Sequence, residues 1–107
     1  MTTELCNAIK FKLLIRFKYT YKDEERRPEI KLVAPLVVGK MNDKRMLRAI
    51  YVNTDKPSLL IQPTEDDFRL FELRGISNIE PSFTDFNIEK SYEYLTRGFD
   101  EVICCVV

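Results

Sequence analysis

Lys12-Leu13-Leu14-Ile15-Arg16-Phe17-Lys18-Tyr19-Thr20-Tyr21-Lys22 decides the fold class. Leu13, Ile15, Phe17, Tyr19 and Tyr21 alternate with Lys12, Arg16, Lys18, Thr20 and Lys22, and only Leu14 breaks the period of two. Successive side chains of a strand point to opposite faces, so this segment is a strand with one apolar, aromatic face and one cationic face. Such a strand needs partners. Upstream, residues 4–11 set Leu5, Ala8 and Ile9 at helical spacing, with Thr2 or Thr3 as the cap. Downstream, the charged stretch Lys22 to Pro28 is a turn, and Ile30 to Ala34 is a second strand. Pro35 must lie at its edge, its end or a bulge, because proline donates no ladder hydrogen bond.

Leu36 to Val38 prolongs the apolar character, Gly39 to Asp43 turns, and Met46 to Val52 is a third strand with Leu47, Ala49 and Tyr51 opposite Arg48, Ile50 and Val52. After a polar loop at 53–58, Leu59 to Ile61 is a short strand or a packing segment. Phe68 to Leu73 alternates as a fourth strand, Gly75 marks a bend, and Ile76 and Ile79 fall one helical turn apart. A helix is predicted from about Ile88 to Arg97, capped by Asn87 and stopped by Gly98, before a final strand over Phe99 to Val107. Several short strands with turn chemistry between them define an α+β domain. Its centre is a small, strongly bent antiparallel barrel, with a short N-terminal helix and a C-terminal helix. The 107 residues fit one domain, 1–107.

The composition removes several function classes. At 45% hydrophobic the chain is globular rather than disordered. With no histidine it holds no Ser-His, Cys-His or His-metal centre. Neither Gly39 nor Gly75 has the glycines or Lys-Ser/Thr of a phosphate-cradling loop. Glu65-Asp66-Asp67 lacks the glycine and alternate spacing of a calcium loop and reads as a solvated turn. No metal, no cofactor and no enzymatic activity are expected. Cys6, Cys104 and Cys105 are odd in number and have no repeated spacing, and Met1-Thr2-Thr3-Glu4 does not open a secretory signal. Reduced thiols in a cytoplasmic protein follow. The longest apolar run, Val102 to Val107, is too short to span a bilayer, so no membrane partner is expected.

Net charge is zero, but it is unevenly distributed. Residues 1–50 carry twelve Lys and Arg against six Asp and Glu, and residues 51–107 carry five against eleven. That division suits a basic ligand face, or a dipolar surface that pairs with a second copy. Arg16 and Lys18 project from one side of the first strand, and Arg48 has the matching parity on the third. Tyr51 is an aromatic ring available to stack on a base. A cationic sheet surface near aromatic rings suits a phosphorylated small ligand or single-stranded nucleic acid. The plainer reading is that outward charges only solubilise the sheet.

In order, the pieces resemble the WYL domain of bacterial regulators. The likeness runs from the helix and aromatic strand, Leu5 to Tyr21, through Arg27 to Pro35 with Leu36, to the strand Met46 to Tyr51. It ends in Phe71-Glu72-Leu73-Arg74-Gly75-Ile76, followed by Ile79 and Phe86. Met46-Leu47-Arg48 stands where the family has its Trp-Tyr-Leu, and Glu72 and Gly75 stand at two arginine positions, while Arg69 matches a basic one. The resemblance implies a free-standing or degenerate member with an SH3/Sm-like barrel. It also implies binding of a nucleotide or nucleic-acid-like ligand through basic residues, with regulation of a partner.

Two functions follow. The first is a non-enzymatic sensor binding an anionic ligand, a nucleotide or short single strand, through Arg69, Arg48, Arg16, Lys18 and Tyr51. Arg69 is implied by the resemblance; Arg16, Lys18 and Arg48 follow from strand parity and charge. The second is an interaction module, forming a homodimer or docking on a regulatory protein through strand edges or the apolar C-terminal strand. Salt separates them, since phosphate contacts weaken steeply with ionic strength.

Overall fold

The alternation over Leu13 to Tyr19 becomes the central strand of the computed structural model, which describes residues 1–21, 27–52 and 59–107. Lys22, most of the charged turn after it and the loop at 53–58 lie outside the described residues. Helix α1 spans Thr2–Lys10 with Met1 as N-cap, so neither threonine caps it. Strands β1 (Leu13–Tyr19), β2 (Glu29–Met41) and β3 (Lys44–Tyr51) follow, then β4 (Leu59–Ile61), β5 (Phe68–Glu72) and β6 (Ile76–Ile88). Helix α2 (Tyr92–Leu95) and β7 (Glu101–Cys105) complete the chain. Six strands pair antiparallel, while β4 joins β6 in parallel.

β2 gives the sheet its bend. Along one edge it pairs with β1 through Glu29 to Val33 and then with β7 through Val37 to Lys40. Its other edge carries β3, and that register slips between Pro35 and Val37. Proline therefore sits where β2 changes neighbour and the ladder is already broken, a place that does not require its missing donor. β2 and β3 are joined by a tight turn in which Asn42 and Asp43 have φ of 51° and 65°, the left-handed pair of a two-residue hairpin. The turn predicted over Gly39 to Asp43 is thus confined to its last two residues. Gly39 itself lies in β2, where an added Cβ would run into the Glu101 carbonyl oxygen. Its lack of a side chain lets β7 approach.

The strands run in the order β4-β6-β1-β2-β3-β5 with β7 branching from β2, and no ladder joins β5 to β4 among the described residues. The sheet is strongly bent but open, so the closed barrel expected from sequence is not shown. Two hydrogen bonds tie the end of β1 to the segment between β5 and β6: Thr20 N–H donates to Gly75 O at 2.9 Å, and the Tyr19 hydroxyl accepts from Glu72 N–H at 3.1 Å.

Two other expectations change. Residues 76–88 form one long strand rather than a helical turn, with Asn87 and Ile88 at its end; α2 is a single turn capped by Ser91, whose Oγ accepts from Tyr94 N–H at 3.2 Å. The helix does not run to Gly98: it ends at Leu95 with Thr96 as C-cap, and Gly98, with φ of 91°, lies in the turn that follows. Cys6 on α1 and Cys104 on β7 are joined in a disulfide, leaving Cys105 as the free thiol. The expectation of three reduced thiols fails because a separation of 98 residues carries no sign of spatial proximity. The core gathers Leu5 and Ile9 of α1, Leu14, Ile15 and Phe17 of β1, Val33, Ala34 and Leu36 to Val38 of β2, and Phe86 and Leu95. No helix among the described residues is long and apolar enough to cross a membrane.

Candidate ligand cavity

Arg48 lies in β3 between the buried Leu47 and Ala49 and is itself only 9% exposed. The ladder sets it opposite Val37 and Leu70, and the α2 segment covers it. Its Nη1 donates to Leu95 O at 2.7 Å and to Arg97 O at 2.8 Å. The guanidinium lies 5.2 Å from the Phe68 ring and 5.0 Å from the Phe99 ring, within cation–π range. Its Nε has no partner, and no carboxylate pairs with Arg48 among the described residues. Burial pushes its pKa below the ordinary arginine value. Arginine stays protonated all the same, so a cation is held here by neutral groups alone.

Arg48 forms the floor of an open cavity of about 400 Å³, lined also by Glu65, Phe68, Leu70, Tyr94 and Arg97. Phe68 and Leu70 alternate onto this side of β5. Tyr94 comes from α2, its ring 5.7 Å from that of Phe68. Arg97 binds Glu65 at 2.7 Å and lies 5.2 Å from the Tyr94 ring, with Lys90 at 4.7 Å from the same ring. Apolar walls, aromatic faces and a few convergent polar groups are the usual make-up of a small-molecule pocket.

The five residues singled out by sequence do not converge. Arg69, between Phe68 and Leu70, projects to the opposite side of β5 and lies 5.4 Å from the Tyr51 ring. Its Nη1 donates to Asp66 O at 2.7 Å and to Phe68 O at 3.0 Å. Tyr51, 39% exposed, also has Lys31 Nζ 5.1 Å from its ring. Burial works against the Lys31 ammonium, but its hydrogen bonds to Glu29, Tyr21 and Tyr51 outweigh that and raise its pKa above the ordinary lysine value. Arg69 and Tyr51 therefore meet in a cation–aromatic cluster of their own. Arg16 and Lys18 lie on β1, opposite Leu32 and Ile30 of β2, with Arg16 exposed and Lys18 half-buried.

Phe68, Tyr94, Arg97 and Glu65 were not singled out from sequence. Tyr94 and Arg97 lie in the short run Tyr92 to Arg97, which reads as the end of a helix, and Glu65 lies in an acidic run that reads as a solvated turn. The two family arginine positions have clear local reasons for their occupants. A Cβ on Gly75 would lie 2.7 Å from Tyr19 Cε1 and 2.8 Å from Thr20 O, leaving no space for a longer residue. Glu72 is bound at 3.2 Å by Lys44 and at 2.9 Å by Arg74.

No family model matches the sequence, and no curated protein matches it. Among solved structures it is similar to the Proteasome accessory factor B/C (PafBC) of Arthrobacter aurescens, with a TM-score of 0.64 and 19% identity. The match covers 85% of this chain and 13% of that one. At this identity the likeness is one of fold. It agrees with the WYL-like architecture read from the sequence.

Proposed function

We propose that the chain is a WYL-like, non-enzymatic sensory domain that binds a nucleotide in the cavity over Arg48. The observation that carries this reading is a buried guanidinium with a free Nε and no carboxylate partner among the described residues, set among aromatic rings. An anionic phosphate supplies the missing countercharge, and guanidinium groups bind phosphate through paired N–H donors. The base stacks on Tyr94 or Phe68, and Arg97 adds a second cation by exchanging Glu65 for the ligand. Arg69 and Tyr51, with Arg16 and Lys18 further off, form the flanking basic surface that a longer single strand would follow. Arg48 also holds the carbonyls that close α2, so a ligand competing for it alters how α2 is held. Coupling between ligand and a regulated partner passes through that contact. Likeness in fold to a protein titled an accessory factor supports the regulatory reading.

Isothermal titration with nucleoside monophosphates and a short oligonucleotide tests the proposal. Wild-type protein binds at one site, and affinity falls with added salt. Arg97→Ala, at an exposed position, weakens binding at least about tenfold, the scale of one lost charged contact. Absence of binding by wild type, or equal affinity in the variant, contradicts the proposal.

A further inference from the structure

β6 departs from regular pairing with β1 in two places, and one of them directs a phenylalanine into water. Asp85 faces Leu13 and Pro81 faces Ile15, so β6 bulges outward between them, over Ser82 to Thr84. Ser82 Oγ accepts from Thr84 N–H at 3.1 Å and donates to Thr84 O at 3.3 Å, closing the bulge on itself. Phe83 stands at its apex with a relative exposure of 107%. Bulges commonly re-aim a side chain, and this one is fixed in place by its own hydrogen bonds. Next to it, between α1 and β6, lies a cavity of about 250 Å³ lined by Glu4, Asn7, Ala8, Phe11, Leu13 and Pro81. That is below the ~300–1,000 Å³ of pockets for small molecules and suits one inserted side chain. Phe11, at 63% exposure, widens its apolar rim.

We infer that this face is a two-fold homodimer interface in which Phe83 of each copy enters the cavity between α1 and β6 of the other. Knob and hole lie on one surface, the self-complementarity that a two-fold interface requires. The charges agree. Lys10, at the end of α1, has its Nζ 5.8 Å from the ring of Phe11 on the cavity rim, Glu4 lines the cavity itself, and Glu80 and Asp85 flank the bulge on β6. A two-fold axis between hole and knob brings Lys10 of each copy toward Glu80 and Asp85 of the other. This interface is independent of the Arg48 cavity.

Sedimentation equilibrium over a wide concentration range tests it, with thermal melting as a folding control. Wild-type protein forms a dimer. Phe83→Ser removes a fully exposed ring, so the monomer keeps its melting temperature while the dimer dissociation constant rises at least about thirtyfold, as for a central aromatic anchor. Asn7→Trp, also at an exposed position, fills the hole and weakens the dimer similarly. An equimolar mixture of the two variants recovers dimer, because the intact knob of one meets the intact hole of the other. A monomeric wild type, a Phe83→Ser protein that dimerises undiminished, an Asn7→Trp protein that does so, or a mixture that recovers nothing overturns the inference.

Discussion

Arg48 joins the fold to the proposed site. Its Nη1 satisfies two carbonyls, Leu95 O and Arg97 O, that close α2 over the sheet. Arg48→Ala leaves both without this donor and opens space under Phe68 and Phe99. The expected loss is about 1–3 kcal/mol of stability, read from denaturant unfolding. The depressed Arg48 pKa means that the folded state disfavours its charge. That penalty is fully present below the folded pKa and is relieved only as pH rises through it, far above neutrality; around neutral pH an anion is what relieves it. Because the chain has no histidine, the pH dependence of phosphate binding near neutrality belongs to the ligand. A phosphate monoester gains its second charge near pH ~6, so affinity rises between pH 5 and 7.5, as titrations at the two values will show. A flat profile excludes recognition of the dianion. Gly39 and Gly75 make a different point, since both give up a side chain to a close approach. Gly39→Ala pushes on the Glu101 carbonyl and costs about 1–3 kcal/mol, measurable as a lower denaturation midpoint.

At the scale of elements, the sequence was most legible where strands are regular. β1 has the alternation that burial of one face imposes, and β1, β3 and β5 each lie within a few residues of the strands read from the sequence. β6 was misread for a physical reason. Its bulges move Ile76, Ile79, Phe83 and Phe86 to spacings of three and four, which imitate a helix. α2 was overestimated because Ile88 belongs to β6 and only Ser91 caps the turn that follows. Pairing of Cys6 with Cys104 was illegible, since it depends on how α1 packs against β7. That bond closes almost the whole chain into a loop, and cross-links of this span stabilise by about 2–5 kcal/mol. Reduction should therefore lower the thermal midpoint by several degrees. An unchanged midpoint would show that the tie between α1 and β7 contributes nothing.

For the molecule as a whole, the general architecture was readable and the position of the site was not. Strand parity correctly put Arg48 and Tyr51 on opposite faces of β3, but parity does not say which face a covering segment will close. The α2 turn buries Arg48 and converts it from a surface charge into the floor of a cavity, while Arg69 and Tyr51 pair on the other side of β5. Two basic–aromatic clusters therefore compete for the same ligand chemistry, and the choice between them is the central claim. It is tested most directly by following the arginine Nε–H resonances in ¹⁵N-labelled protein during titration with a nucleoside monophosphate. A nucleotide bound over Arg48 gives a saturable shift of the Arg48 Nε–H signal, accompanied by the amides of Tyr94 to Arg97. A response confined to Arg69 and Tyr51, or no response at millimolar ligand, would contradict it.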